Sequence, residues 1–211
     1  MRLVGNVLRD ELAAAWERWG HRCAGLTEAQ WRTPTRCGAW DVQSLVAHVC
    51  PEATTFEELA KARADGPPAV TDAAEMLRIF NQPGGVARTT ADRIAEHAVH
   101  EASALRPAAA AARFVDAADR LRRMPEMDRA GETVISYPVI GSATLGVVAE
   151  VALLEATVHL LDLADAVGGV APSDRALAAA RDLLVAVPDP TAVVEVLAGR
   201  TPPQSVIPAI R

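Results

Sequence analysis

Glu155, His159 and Asp162 lie inside the stretch Leu145–Asp165, whose other residues are mostly Leu, Val and Ala. At ~100° per residue, a helix places Val148, Val151, Glu155, Val158, His159 and Asp162 on one face, the face expected to be buried in a bundle. Two carboxylates and an imidazole need partners there, because an unpaired buried charge costs several kcal/mol. A divalent metal ion would satisfy them together. The Glu-x-x-x-His spacing lets both side chains reach one ion from successive turns.

A third ligand has to come from elsewhere, and the chain has five histidines to offer. His21 ends an amphipathic helix among polar residues and reads as solvated. His97 and His100 with Glu101 form a His-x-x-His-Glu run, a second metal site by spacing, although Glu96, Glu101 and Ser103 mark its face as exposed and polar. His48 falls two turns into a helix, at the flank of its apolar stripe. The residues alone leave two readings of it open: a ligand beside Glu155 and His159, or a hydrogen-bonded core histidine. Asp162 is equally open. It is either an acceptor orienting an imidazole one turn beyond the ligands, or an ordinary polar residue at the bundle edge.

The elements that must position these residues are helical. Residues 4–20 carry an apolar period (Val4, Val7, Leu8, Leu12, Ala15, Trp16, Trp19) that ends near Gly20. Asp41 is a good N-cap for a helix over 42–63, with the stripe Val42, Leu45, Val46, Val49, Ala53 and Phe56, stopped by Gly66-Pro67-Pro68. A third helix spans about 86–105 and continues over 108–123, with a kink or break at Pro107. Residues 124–143 read as a long structured loop with a β-like run at Thr133–Tyr137, and loops of that length are often functional. The helix 143–167 stops at Gly168-Gly169. Ser173 caps another to about Val187, and Pro190 opens a short one to Gly199. With no sustained strand alternation, the expectation is an all-α four-helix bundle over residues 1–170. A short helical extension, 171–211, packs on it.

Bulk properties exclude several function classes. The net charge of -6 comes without a basic stripe, so nucleic acid is not an expected partner. The N-terminus lacks a signal-peptide core, and Glu150, Glu155, His159, Asp162 and Asp165 are too many polar groups for a membrane span. Cys23, Cys37 and Cys50 are odd in number and lack CxxC spacing. Each reads as a small buried hydrophobe in a reducing cytosol.

The segment Trp31-Arg-Thr-Pro-Thr-Arg-Cys-Gly-Ala-Trp-Asp-Val-Gln-Ser-Leu-Val-Ala-His48 resembles the first signature of the mycothiol-dependent maleylpyruvate isomerase N-terminal domain, a DinB-like four-helix metal protein. Glu155-Ala-Thr-Val-His159-Leu-Leu-Asp162 resembles its second signature, E-x-x-x-H-x-x-D. Both occur in order on the helices already drawn, and Gly199-Arg200 followed by prolines is also typical. Asp41 stands where Thr or Ser is usual, a conservative change at a cap, and Ser44 stands where Asp is common. The resemblance implies a DinB-like bundle in which His48, Glu155 and His159 bind zinc.

Two His and one Glu leave a coordination position open, the layout of a catalytic site. In the family that position is thought to receive mycothiol, held as a thiolate that adds to a small electrophile. The named isomerase carries a further C-terminal domain, whereas only residues 171–211 follow the bundle here. The expectation is therefore S-transfer ahead of maleylpyruvate isomerisation, in the cytosol, by a chain whose assembly as a monomer or homodimer stays open. Trp40 and the 124–143 loop are placed at the pocket, with Trp31 and Trp40 alternatively anchoring the loop. A zinc-dependent hydrolase and a metal-stabilised module without turnover are the other two readings.

Overall fold

In the computed structural model, which describes residues 3–210, helices dominate. In chain order they are α1 (Gly5–Ala24), α2 (Glu28–Trp31), α3 (Val42–Val49), α4 (Thr55–Lys61), α5 (Ala73–Asn81), α6 (Val86–Thr89), α7 (Ala91–Ala104), α8 (Pro107–Arg123), α9 (Leu145–Val167), α10 (Asp174–Ala186) and α11 (Pro190–Leu197). Strands β1 (Val134–Tyr137) and β2 (Gly141–Thr144) form an antiparallel hairpin with Val134 opposite Thr144 and Tyr137 opposite Gly141. The all-α expectation holds, with this hairpin as the one sheet among the described residues.

Four helical units make the bundle. α1 lies along α8 and α9, and α3 packs between α7 and α9. The α7–α8 pair forms one bent unit around Leu105 and Arg106. Pro107 begins α8 at a position where its missing N–H costs nothing. Trp19 is fully buried, stacks on Phe114 at 5.5 Å between ring centres, and donates its indole N–H to the Ala156 carbonyl at 2.9 Å. One side chain thus ties α1 to α8 and α9. α10 packs on α9, α1 and α5.

Several boundaries differ from expectation, each for a local reason. α1 does not stop at Gly20 but runs to Ala24. A Cβ at Gly20 would sit 3.0 Å from Val115 Cγ2 and 3.1 Å from the Ala111 carbonyl, so glycine lets α1 and α8 approach closely inside the helix. The single helix expected over 42–63 is two, α3 and α4, because Cys50 precedes Pro51 and takes extended backbone (ψ 113°). The expected helix 86–105 is likewise split at Thr90 into α6 and α7.

α5 was not anticipated, although Asp72 caps it by accepting from the Glu75 N–H and its Ala73, Ala74, Met76 and Leu77 are buried. The 124–143 segment is more ordered than a loop. A 3₁₀ turn, Pro125–Arg129, leads into the hairpin, and Thr144 both closes β2 and caps α9 by accepting from the Val147 N–H. At the other end of α9, Arg22 reaches across from α1 and donates to the Val167 and Gly168 carbonyls.

Candidate functional site

The segment between α2 and α3 is closed on itself by short-range hydrogen bonds. The Thr35 N–H and hydroxyl both donate to the Trp40 carbonyl, at 2.9 and 2.8 Å, and the Thr35 hydroxyl oxygen accepts from the Cys37 N–H at 3.1 Å. The Val42 N–H returns to the Thr33 carbonyl at 3.0 Å. Gly38 has φ +64°, which glycine adopts without strain, and it makes the turn. This small closed loop aims Arg36 and Cys37 at one end of α9 and lays Trp40 against His48, with ring centres 4.8 Å apart.

Asp41 then starts α3. Its Oδ1 accepts from both the N–H and the hydroxyl of Ser44, each at 2.8 Å, so the Asp and Ser that depart from the family signature form a cap with each other. α3 carries His48 in its last turn, half-buried beside His159. The two rings are 5.1 Å apart and nearly perpendicular.

On α9, His159 is gripped from both sides. Its Nδ1 lies 2.8 Å from Asp162 Oδ2 and its Nε2 lies 3.4 Å from Glu155 Oε2. Asp162 is buried, at 5% exposure, and its carboxylate also accepts from Arg36 Nε at 2.7 Å and from the Cys37 thiol at 3.2 Å. With three donors on Asp162, the Nδ1–H···Oδ2 bond sets the imidazole tautomer and turns Nε2 towards His48 and Glu155. Of the two readings of Asp162, the structure has it buried and in contact with the imidazole. Arg36 and Cys37 were not singled out. They lie 126 and 125 residues away from Asp162 in sequence, so no local spacing relates them to it.

Two triads bring ligand atoms within 4.8 Å of one another: His48, Glu155 and His159, and Cys37, His159 and Asp162. They use opposite nitrogens of the same ring. The second is already occupied by its own hydrogen bonds. Burial and the adjacent Asp162 carboxylate push the Cys37 thiol up to about 11, so it is a protonated donor to Asp162 and not a ready thiolate. The first triad is held more loosely, by the 3.4 Å contact of His159 Nε2 with Glu155 Oε2, and borders a cavity.

Electrostatics follow from this packing. Burial and the His159 charge lower the His48 pKa. For His159, burial works downwards but is outweighed by the hydrogen bonds its ring donates to Asp162 and Glu155 and by their charges, which raise it to about 9. For Asp162, burial works upwards but is outweighed by its bonds to His159, Arg36 and Cys37, which hold it near about 2. The folded value of His159 lies above its ordinary 6.5, so without an ion its contribution is complete below that value and is lost as pH rises through about 9. Asp162 contributes fully above 3.8, with loss as pH falls through about 2.

In chelator-treated protein, a histidine NMR titration is therefore expected to show the His159 imidazolium persisting well above pH 7. Asp162→Asn should bring that midpoint down towards the ordinary range. An unchanged midpoint would show that Asp162 does not hold the ring.

The face of α9 carrying Val148, Val151, Glu155, Val158 and His159 borders a cavity of about 880 Å³. The expectation that the bundle buries this face holds at its ends, Val148 and Asp162, and is corrected between them, where Val151, Glu155, Val158 and His159 are half-buried. Glu155 retains 43% side-chain exposure, and the fully packed side of α9 is instead Leu153, Leu154, Ala156, Thr157 and Leu160. Trp40, Tyr137 and Pro138 line the cavity, as considered for Trp40 and the 124–143 segment, while Trp31 is buried away from it. Trp16, Phe56, Leu59, Leu77, Phe80 and Ile210 complete the walls and were not foreseen. They come from four different segments.

Of the remaining polar candidates, His97 and Glu101 line a smaller pocket that shares His48 with the site. His21 is exposed. His97 is exposed and pairs with Glu101 at 3.6 Å, and neither His97 nor His100 joins a triad of ligands among the described residues. Cys23, Cys37 and Cys50 form no disulfide, and only Cys23 is the buried hydrophobe expected, Cys37 and Cys50 being half-buried. No helix among the described residues is long and apolar enough to cross a membrane.

Residues 12–164 match the sequence profile of the family described as the mycothiol maleylpyruvate isomerase N-terminal domain. That match covers well over half of the chain, and the chain belongs to this family. No curated protein and no solved structure matches it.

Proposed function

We propose that this protein binds one divalent cation, zinc, through His48, Glu155 and His159, and uses it to join a low-molecular-weight thiol, mycothiol, to an electrophilic substrate in the cytosol. The observation that carries the reading is the triad at the cavity wall, with His159 Nε2 turned towards it by the Asp162 bond. Two imidazoles and a carboxylate suit zinc and leave a position free for a ligand. When bound, the ion would supply a Lewis acid that favours the thiolate over the thiol near neutral pH.

The chain's own residues do the rest. Asp162 keeps a proton on Nδ1, so Nε2 is the free donor. Trp40 covers the His48 ring on one side and limits its motion. The apolar walls keep water away from the sulfur and the carbon it attacks, which favours a weakly solvated nucleophile. A hydrolase would need a further base to activate water. Glu155 is the only carboxylate among the described cavity-lining residues, and it is already assigned to the ion.

The test is thiol consumption with mycothiol against a panel of electrophiles, comparing the wild type with His48→Ala. His48-dependent loss of thiol and formation of adduct are expected for at least one electrophile. Cobalt-substituted protein titrated with mycothiol should develop metal–thiolate absorption. If adduct formation never depends on His48 and no such band appears, hydrolysis or metal-supported binding replaces transfer.

A further inference from the structure

Building on the transferase reading, we infer that the electrophile is an uncharged, apolar molecule of aromatic-ring size or larger, not a small dicarboxylate. The cavity beside the triad, at about 880 Å³, is in the range that encloses a drug-sized ligand. Trp16, Phe56, Leu59, Leu77, Phe80 and Tyr137 are among the residues that line it.

No Lys or Arg occurs among the described lining residues, and the only formal negative charge there is Glu155. Arg93 lines a separate, smaller pocket that shares only His48 and Ile94 with this cavity, and the other arginines nearby are committed elsewhere. Arg36 is held by Asp162, Arg78 donates to the Ala186 and Val187 carbonyls, and Arg88 donates to the Asn81 carbonyl. A carboxylate remote from the reacting carbon would lose its water against these walls and gain no cation in return, and an unpaired buried charge is strongly disfavoured. An aromatic or branched apolar group loses nothing there and gains by leaving water.

The step is a displacement. The thiol gives up its proton to solvent, its sulfur forms a bond to the electrophilic carbon, and the leaving group departs with the bonding pair. A matched pair of substrates isolates the charge: 4-nitrobenzyl chloride and 4-(chloromethyl)benzenesulfonate each lose chloride and differ at the remote end.

With mycothiol as the thiol, kcat/KM for the nitro compound should exceed that for the sulfonate by at least about tenfold beyond the ratio of the uncatalysed reactions. Phe80→Arg places a cation on the wall and should collapse or reverse that preference. Leu59→Arg serves the same purpose if Phe80→Arg does not fold by circular dichroism.

A second readout is independent of turnover. Saturable quenching of tryptophan emission, which Trp16 and Trp40 at the cavity would report, is expected with 4-nitrotoluene and not with 4-nitrobenzenesulfonate. Equal use of the two electrophiles with equal quenching by the two nitro compounds would overturn the inferred substrate class and leave transfer standing. Selective quenching without catalysed thiol loss from either electrophile would support the apolar occupant and sink the transferase reading.

Discussion

His159→Ala is expected to strip the chain of its divalent ion, lowering affinity by more than the roughly 10- to 100-fold cost of losing a residue that only orients a ligand. His159 is the one residue shared by both triads of ligand atoms, so no alternative set of three among the described residues survives its removal. His48 and Glu155 alone offer two donors, and zinc sites in proteins rest on three or four.

Elemental analysis of the purified variant measures the result directly, with circular dichroism as the control for folding. Full occupancy after this change would exclude both triads and redirect attention to His97 and His100 on the exposed face of α7. A companion variant separates the triads from each other. Cys37→Ser should keep the ion, because the thiol is a protonated donor to Asp162. Loss of metal from Cys37→Ser would move the centre to the opposite side of the ring.

The largest effect on stability is expected at Trp19, which is not itself a candidate ligand. Trp19→Ala should destabilise the fold by about 3–5 kcal/mol, the range for emptying a buried aromatic site. The Ala156 carbonyl would also lose its indole donor, worth about 1 kcal/mol. Three helices meet on this side chain, so neighbours cannot close the space without moving α1, α8 or α9.

Trp19→Phe keeps the stacking partner of Phe114 and loses the hydrogen bond, and should cost distinctly less. Urea unfolding curves of the two variants measure both effects. A cost below 1 kcal/mol for the alanine variant would mean the crossing is held by other contacts. Because Ala156 immediately follows Glu155, the variant is also expected to weaken metal retention to a small degree by loosening that turn of α9.

The all-α fold was legible because its signal is local. The spacing of Leu8, Leu12, Ala15, Trp16 and Trp19 and the run 145–167 each specify a helix without reference to the rest of the chain. The clustering of His48, Glu155 and His159 was legible in part for the same reason. Glu155 and His159 are one turn apart on a single helix, and the segment Trp31–His48 carries a recognisable signature whose loop bonds, Thr35 to Trp40 and Asp41 to Ser44, span only a few residues. α5 was missed although its own signal, the Asp72 cap followed by Met76 and Leu77, was also local.

What only the tertiary structure decided is everything that joins distant segments. Asp162 could be either an edge residue or a partner of His159 until Arg36 and Cys37, some 125 residues away, were brought onto its carboxylate. Periodicity assigned one face of α9 to the core, whereas the fold surrounds that helix with apolar neighbours and leaves this face along a cavity. A hydrophobic pattern reports which residues avoid water. It does not distinguish a side chain packed against protein from one lining a space kept for a ligand, because that depends on how closely α3, α4, α5 and the hairpin approach α9.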